Sequence, residues 1–169
     1  VECASCMEIL NAGGGILRTI KQTRKANVDR LLADGLGTLD IMLEHGTTTV
    51  EAKSGYGLTT KDELKILEAV RRINQLHCAD VVPTFLGAHA VPLEFKDNQA
   101  EYVSMLVGDM IPKVAEKELA EFCDVFCEPG VFDLAESEAI LLAARAAGLG
   151  LKVHADELDP FGGAELAAR

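Results

Sequence analysis

Four times along this chain a helix-like stretch gives way, often at a glycine, to a short apolar or β-branched run that ends in ionisable residues. That recurrence limits the fold more than any other feature, because strands that alternate with helices pair in parallel. The runs are 47–53 (TTTVEAK), 80–88 (DVVPTFLGA), 123–128 (CDVFCE) and 149–153 (LGLKV). All are short and mostly apolar on both faces, as strands buried between helices are.

The intervening stretches have helical spacing. The first covers residues 16–45, with a break expected near Asp34-Gly35 and a stop at Gly46, where a left-handed C′ residue costs glycine nothing. The second starts at a capping box, Thr60 with Glu63, and runs to Leu76 on a stripe of Leu64, Leu67, Val70 and Ile73. A third is expected from Glu101 to Lys117, with Pro112 as a kink. A fourth opens at Asp133 with Glu136, in the same capping sense, and ends at Gly148. The tail from Gly162 begins one more.

In a parallel β/α sheet every strand's C-terminal end lies on one side, which is where barrel enzymes keep their active sites. Lys53 ends the first run, with Tyr56 just beyond it. His89 follows the second, Glu128 ends the third, and the fourth leads into His154, Asp156 and Glu157. A histidine at the end of an apolar strand is held firmly and can offer a neutral imidazole nitrogen to Zn²⁺ or Fe. A carboxylate three residues later can hydrogen-bond a substrate or take a proton from water. Position alone thus leads to a candidate metal hydrolase on a β/α barrel.

Composition narrows the partners. A net charge of −11 repels phosphate backbones and makes nucleic acid an unsuitable partner. No apolar run reaches the roughly 18 residues of a membrane span. Five cysteines at irregular spacing fit reduced thiols in the cytoplasm better than a disulfide framework. Cys3 and Cys6 lack the second pair that a zinc or redox role needs. Cys123 and Cys127 read as small buried hydrophobes, and Gly13-Gly14-Gly15 as a tight turn. His45 and His77 sit at helix C-termini, where the dipole favours a cation. The start has neither a basic leader nor an initiator methionine, so we expect the chain to begin inside a longer protein.

Several segments carry a more specific likeness. Glu51-Ala52-Lys53-Ser54-Gly55-Tyr56-Gly57-Leu58, Thr84-Phe85-Leu86-Gly87-Ala88-His89-Ala90-Val91-Pro92 and Leu151-Lys152-Val153-His154-Ala155-Asp156-Glu157 resemble, in order, signatures of the imidazolonepropionase family of the amidohydrolase superfamily. Pro160-Phe161-Gly162-Gly163-Ala164-Glu165-Leu166 extends the third of these. Asn11-Ala12-Gly13-Gly14-Gly15-Ile16 and Thr23-Arg24-Lys25-Ala26 fit the family's stretch after its first metal-binding strand.

The resemblance implies an α/β fold, part of a TIM-like (β/α) barrel. It implies hydrolysis of 4-imidazolone-5-propanoate to N-formimidoyl-L-glutamate, with one Zn or Fe ion polarising the attacking water. His154 matches the metal-ligating histidine of the fifth barrel strand. Tyr56 and His89 match substrate contacts, with His89 beside the ring and stabilising charge that develops on the attacked group. Glu157 matches the glutamate that contacts substrate and helps to activate water. Lys53 is expected to be structural, because the family's site resembles a mononuclear one. A small-molecule substrate is the implied partner, and a homodimer the expected assembly of the full-length protein.

The sequence also departs from the family pattern. The family's His-X-His pair, its metal-binding Asp, its additional histidine and its substrate arginine have no counterpart in these residues. Residues 1–169 are therefore expected to form the central part of a (β/α)8 barrel, from after strand one to just after strand five. Such a section is expected to be poorly stable, to bind metal weakly and to be inactive alone. The competing readings are another amidohydrolase, acting on a cyclic amide or as a deaminase, and a non-catalytic β/α element.

Overall fold

The computed structural model describes residues 16–169. Cys3, Cys6 and the glycine triplet lie outside that range. Four strands, β1 (Thr49–Lys53), β2 (Asp80–Ala88), β3 (Phe122–Cys127) and β4 (Gly150–Ala155), form one parallel sheet in the order β1-β2-β3-β4. The sheet curls into half of a TIM-like barrel. Helices α1 (Ile16–Lys25) and α2 (Val28–Glu44) precede β1, and α3 (Thr60–Leu76) links it to β2. The next crossover holds α4 (Gln99–Met105), a π-helical turn at Leu106–Met110 and α5 (Ile111–Glu116). Helix α6 (Leu134–Ala146) joins β3 to β4, and α7 (Gly163–Ala167) follows.

Two expected boundaries move for visible reasons. The first helical stretch breaks at Asn27, not at Gly35, because the Asn27 side chain accepts the Arg30 N–H and caps α2. Gly35 stays helical, and a Cβ there would lie 2.3 Å from Ile73 Cδ1, so the glycine lets α2 approach α3. The third stretch starts at Gln99 and bends through the π turn immediately before Pro112, which has no N–H to continue the α ladder. The box at Asp133 and Glu136 closes as expected. At α3 the N-cap is Thr59 and not Thr60, its hydroxyl accepting the Asp62 N–H; Glu63 is free for another purpose.

The sheet's outer face carries the core. Phe85, Cys123, Val125, Leu106, Met110, Phe132 and Ile140 pack together between the sheet and its helices, while Val81 joins Leu39, Val70 and Ile73 beside α2 and α3. Burial pushes the Cys123 thiol up to about 12, so it serves as an apolar group. The inner face departs from the apolar expectation: Glu51, Lys53, Thr84, Asp124, Phe126, Lys152 and His154 occupy it. Among the described residues no helix is long and apolar enough to cross a membrane.

Candidate active site

The loop after β1 is built around Glu63. Its side chain is fully buried, with Oε2 accepting the N–H of Gly55 at 2.8 Å and Oε1 those of Gly57 and Leu58 at 2.7 and 2.8 Å. Gly55 has φ +98°, and a Cβ there would meet the Leu86 carbonyl oxygen at 2.7 Å. Leu58, at φ 53°, holds a left-handed conformation that is rare for a branched apolar residue. Arg24 of α1 steadies the same turn by donating to the Gly57 carbonyl. Tyr56 rides on this loop, and its ring meets His89 edge-on with centroids 5.2 Å apart.

His89 reaches the loop because β2 bulges near its end. Three steps along β2, from Phe85 to Ala88, match two along β3, from Cys123 to Val125. His89 Nδ1 lies 3.0 Å from the Gly55 carbonyl, which can only accept, so Nδ1 carries the proton. Burial lowers the imidazole's pKa below its ordinary value, against the opposing pull of the Gly55 carbonyl and Glu63. The neutral ring then presents Nε2 as a hydrogen-bond acceptor, and donation to a developing negative charge requires the imidazolium.

A line of rings continues across the sheet. His89 meets Phe126 at 6.2 Å, and Phe126 meets His154 at 6.1 Å, both edge-on. Phe126 and His154 are register partners on β3 and β4. The three residues singled out on different strand ends, Tyr56, His89 and His154, thus share one side of the fold through Phe126. Glu157 lies on the loop after β4, with an exposed side chain.

That loop has its own supports. Glu128, fully buried at the end of β3, accepts the N–H of Glu157 at 2.6 Å and of Leu158 at 3.2 Å. Asp156, at φ 56°, accepts the N–H groups of Phe161, Gly162 and Ala164. Those bonds, the Phe161 N–H first, hold its carboxyl below the usual range. Glu63, Glu128 and Asp156 therefore each convert a carboxylate into a backbone anchor at the C-terminal side of the sheet.

Beneath the rings lies a charged network. Lys53 Nζ donates to Glu51 and to Asp124, both at 2.8 Å, and Lys152 Nζ donates to Glu51 at 2.6 Å. Asp124 is 1% exposed, and its Oδ2 also lies 3.0 Å from His154 Nδ1, out of line for a hydrogen bond. Burial opposes ionisation of Glu51, but bonds from Lys152, Lys53 and Thr84 outweigh it and hold its carboxyl at about 2. A depressed carboxyl stabilises the fold above its unfolded value and loses that contribution as pH falls through its folded one. Urea titrations of the full-length chain are thus expected to show wild type ahead of Glu51→Gln by about 1–2 kcal/mol at pH 6, after allowance for water access to a partly exposed side chain. The gap should close between pH 4.5 and 2.

The donor set bears on metal binding. Among the described residues no group of three or more His, Cys, Asp or Glu side chains is placed to hold an ion. His154 Nδ1 and Asp124 Oδ1 are nevertheless buried without hydrogen-bond partners. An imidazole facing a carboxylate on one side and open on the other suits a single metal ligand with its outer support. These residues fit one corner of a site and not a whole one. A cleft of about 490 Å³ at the opposite ends of the strands, lined by Val81, Pro83, Leu119 and Gly148, contains none of these groups.

Parallel strands curl into half a barrel, with histidines and carboxylates gathered where the strands end, the side on which β/α-barrel enzymes keep their active sites. No protein-family model matches the chain. It is 56% identical to the imidazolonepropionase of Alkaliphilus metalliredigens over 162 residues, 54% to that of Thermoanaerobacter pseudethanolicus over 161, and 54% to that of Geobacillus thermodenitrificans over 165. These matches cover 95–98% of this chain but only 38–39% of each relative. By sequence the chain is a relative of the imidazolonepropionases, and it spans about two fifths of their length.

Sequence reasoning missed Glu63, Asp124 and Glu51 as parts of this region. Asp124 carried a signal, a charge inside an apolar strand. Glu63 was hidden because its spacing from Thr60 already had an explanation as a cap.

Proposed function

We propose that this chain is the central section of an imidazolonepropionase, with β1 to β4 as strands two to five of an eight-stranded barrel. The full protein then hydrolyses 4-imidazolone-5-propanoate to N-formimidoyl-L-glutamate. The observation that carries this reading is the line Tyr56, His89, Phe126, His154, in which neighbouring rings lie 5.2 to 6.2 Å apart at the strand C-termini. It is supported by relatives that bear this name at more than half identity.

The residues divide the work by position. Tyr56 and His89 form a wall with aromatic edges suited to a flat heterocycle. With Nδ1 committed to Gly55, His89 Nε2 accepts a hydrogen bond from a ring N–H. His154, backed by Asp124, would hold a Zn or Fe ion through one nitrogen, with the other ligands supplied from outside this section. Such an ion supplies a water activated for attack at neutral pH. Glu157, on a loop held by Glu128, would take a proton from the attacking water and return it to the departing ring nitrogen. A cytoplasmic setting and a homodimer complete the proposal.

Turnover of imidazolone propanoate by the full-length chain tests it. Wild type should hydrolyse the substrate, and Glu157→Gln should lower kcat about a hundredfold, the lower range for loss of a general base, with little change in KM. Absence of turnover by a folded, metal-loaded wild type defeats the proposal, and preferential turnover of a hydantoin or an aminoimidazole favours another amidohydrolase.

A further inference from the structure

We propose that Glu63 is a positioning residue that fixes the tautomer of His89 through the backbone conformation of Gly55, whose N–H and carbonyl belong to consecutive peptides. No direct contact between the two side chains is involved. Glu63 Oε2 accepts the Gly55 N–H at 2.8 Å, and the Gly55 carbonyl receives His89 Nδ1–H at 3.0 Å. Gly55 can serve as this relay because its φ of +98° and its close approach to Leu86 and His89 leave room for no side chain. The Glu63 carboxylate is fully buried, and both oxygens are occupied by backbone N–H groups of the same turn, so the orientation of the turn is set by one side chain. The left-handed Leu58 is held by one of these bonds.

The consequence is chemical. With the proton held on Nδ1, the ring's other nitrogen carries a lone pair, and the group that His89 recognises is a donor. On the reading above, that donor is a ring N–H of the imidazolone, and a carbonyl at the same place is disfavoured. This specificity rests on the proposed function; the tautomer itself does not.

Glu63→Gln separates the relay from simple support of the fold. An amide keeps two of the three bonds by leaving its oxygen on Gly57 and Leu58 and turning its NH₂ toward the Gly55 N–H. The lost bond then falls on Gly55, the residue that orients His89. The measurement is the imidazole ¹⁵N spectrum of the full-length, metal-loaded chain, with His89 assigned by comparison with His89→Gln. Neutral His89 in wild type is expected to be protonated at Nδ1 in roughly tenfold or greater excess, the size of effect one hydrogen bond supports. In Glu63→Gln the ratio should fall about tenfold, with native circular dichroism, and kcat/KM should fall by a similar factor. Glu63→Asp, which shortens the reach, should shift the ratio in the same direction and serves if the amide variant does not fold. A wild-type ring protonated at Nε2 overturns the proposal. So does a folded variant that keeps the wild-type ratio. A ratio that responds in a protein without imidazolone turnover leaves the relay standing and removes the proposed function; turnover with an unresponsive ratio does the reverse.

Discussion

Alanine at position 154 is expected to abolish turnover by the full-length chain and to reduce its bound metal well below one equivalent. The imidazole lies on the last strand of the half-barrel, where Phe126 on β3 packs against one side and Asp124 faces Nδ1. Its Nε2 makes no hydrogen bond to the described residues, which leaves it the free donor. Removing one ligand from a mononuclear site removes several kcal/mol of transition-state stabilisation, a loss of about a thousandfold or more in kcat/KM. Metal analysis and kinetics on the same preparation check this. His154 is 38% exposed in this section, so truncation itself costs little stability, and melts of metal-free wild type and variant should differ only slightly. Wild-type metal content in His154→Ala would sink the ligand assignment, whatever happened to the rate.

Much of this arrangement is legible in the sequence. Residues 80–88 read as a strand from β-branched and apolar content, and β2 occupies those residues. Asp133 and Glu136 read as a capping box because the physics is local, and the box forms. Tyr56, His89 and His154 stood out because ionisable and aromatic groups at strand ends converge in any parallel β/α fold. The unreadable part depended on contacts distant in sequence. Gly35 looked like a helix break, yet its effect lies 38 residues away against Ile73, where the missing Cβ makes room. Apolar strand composition suggested two apolar faces, but alternate residues of three different strands assemble Glu51, Lys53, Asp124 and Lys152 into one inner network. No window of a single strand contains that pattern. Glu63 shows the same limit in reverse: its local role as a cap was plausible, and a buried turn five to eight residues upstream claimed the carboxylate instead.

Replacing Asp124 with alanine should cause the largest loss of stability among these polar residues, together with a loss of metal affinity, and the two can be told apart. The carboxylate is 1% exposed and accepts Lys53 Nζ at 2.8 Å. Its removal leaves a half-buried ammonium with Glu51 as its remaining partner, a cost of about 3 kcal/mol by the usual penalty for breaking a buried pair. It also removes the group facing His154 Nδ1, and loss of such an outer support lowers metal affinity by about 10- to 100-fold. A second substitution distinguishes the origins. Adding Lys53→Met to Asp124→Ala removes the stranded charge, so urea stability should recover by about 2 kcal/mol while metal affinity stays low. If affinity recovers along with stability, the metal defect came from a loosened fold and Asp124 does not orient His154. If Asp124→Ala alone keeps wild-type stability, the inner network contributes nothing and the charged face needs another explanation. Retained stability in the double variant with weak metal binding would place Asp124 behind the ligand, as its 3.0 Å approach to the imidazole indicates.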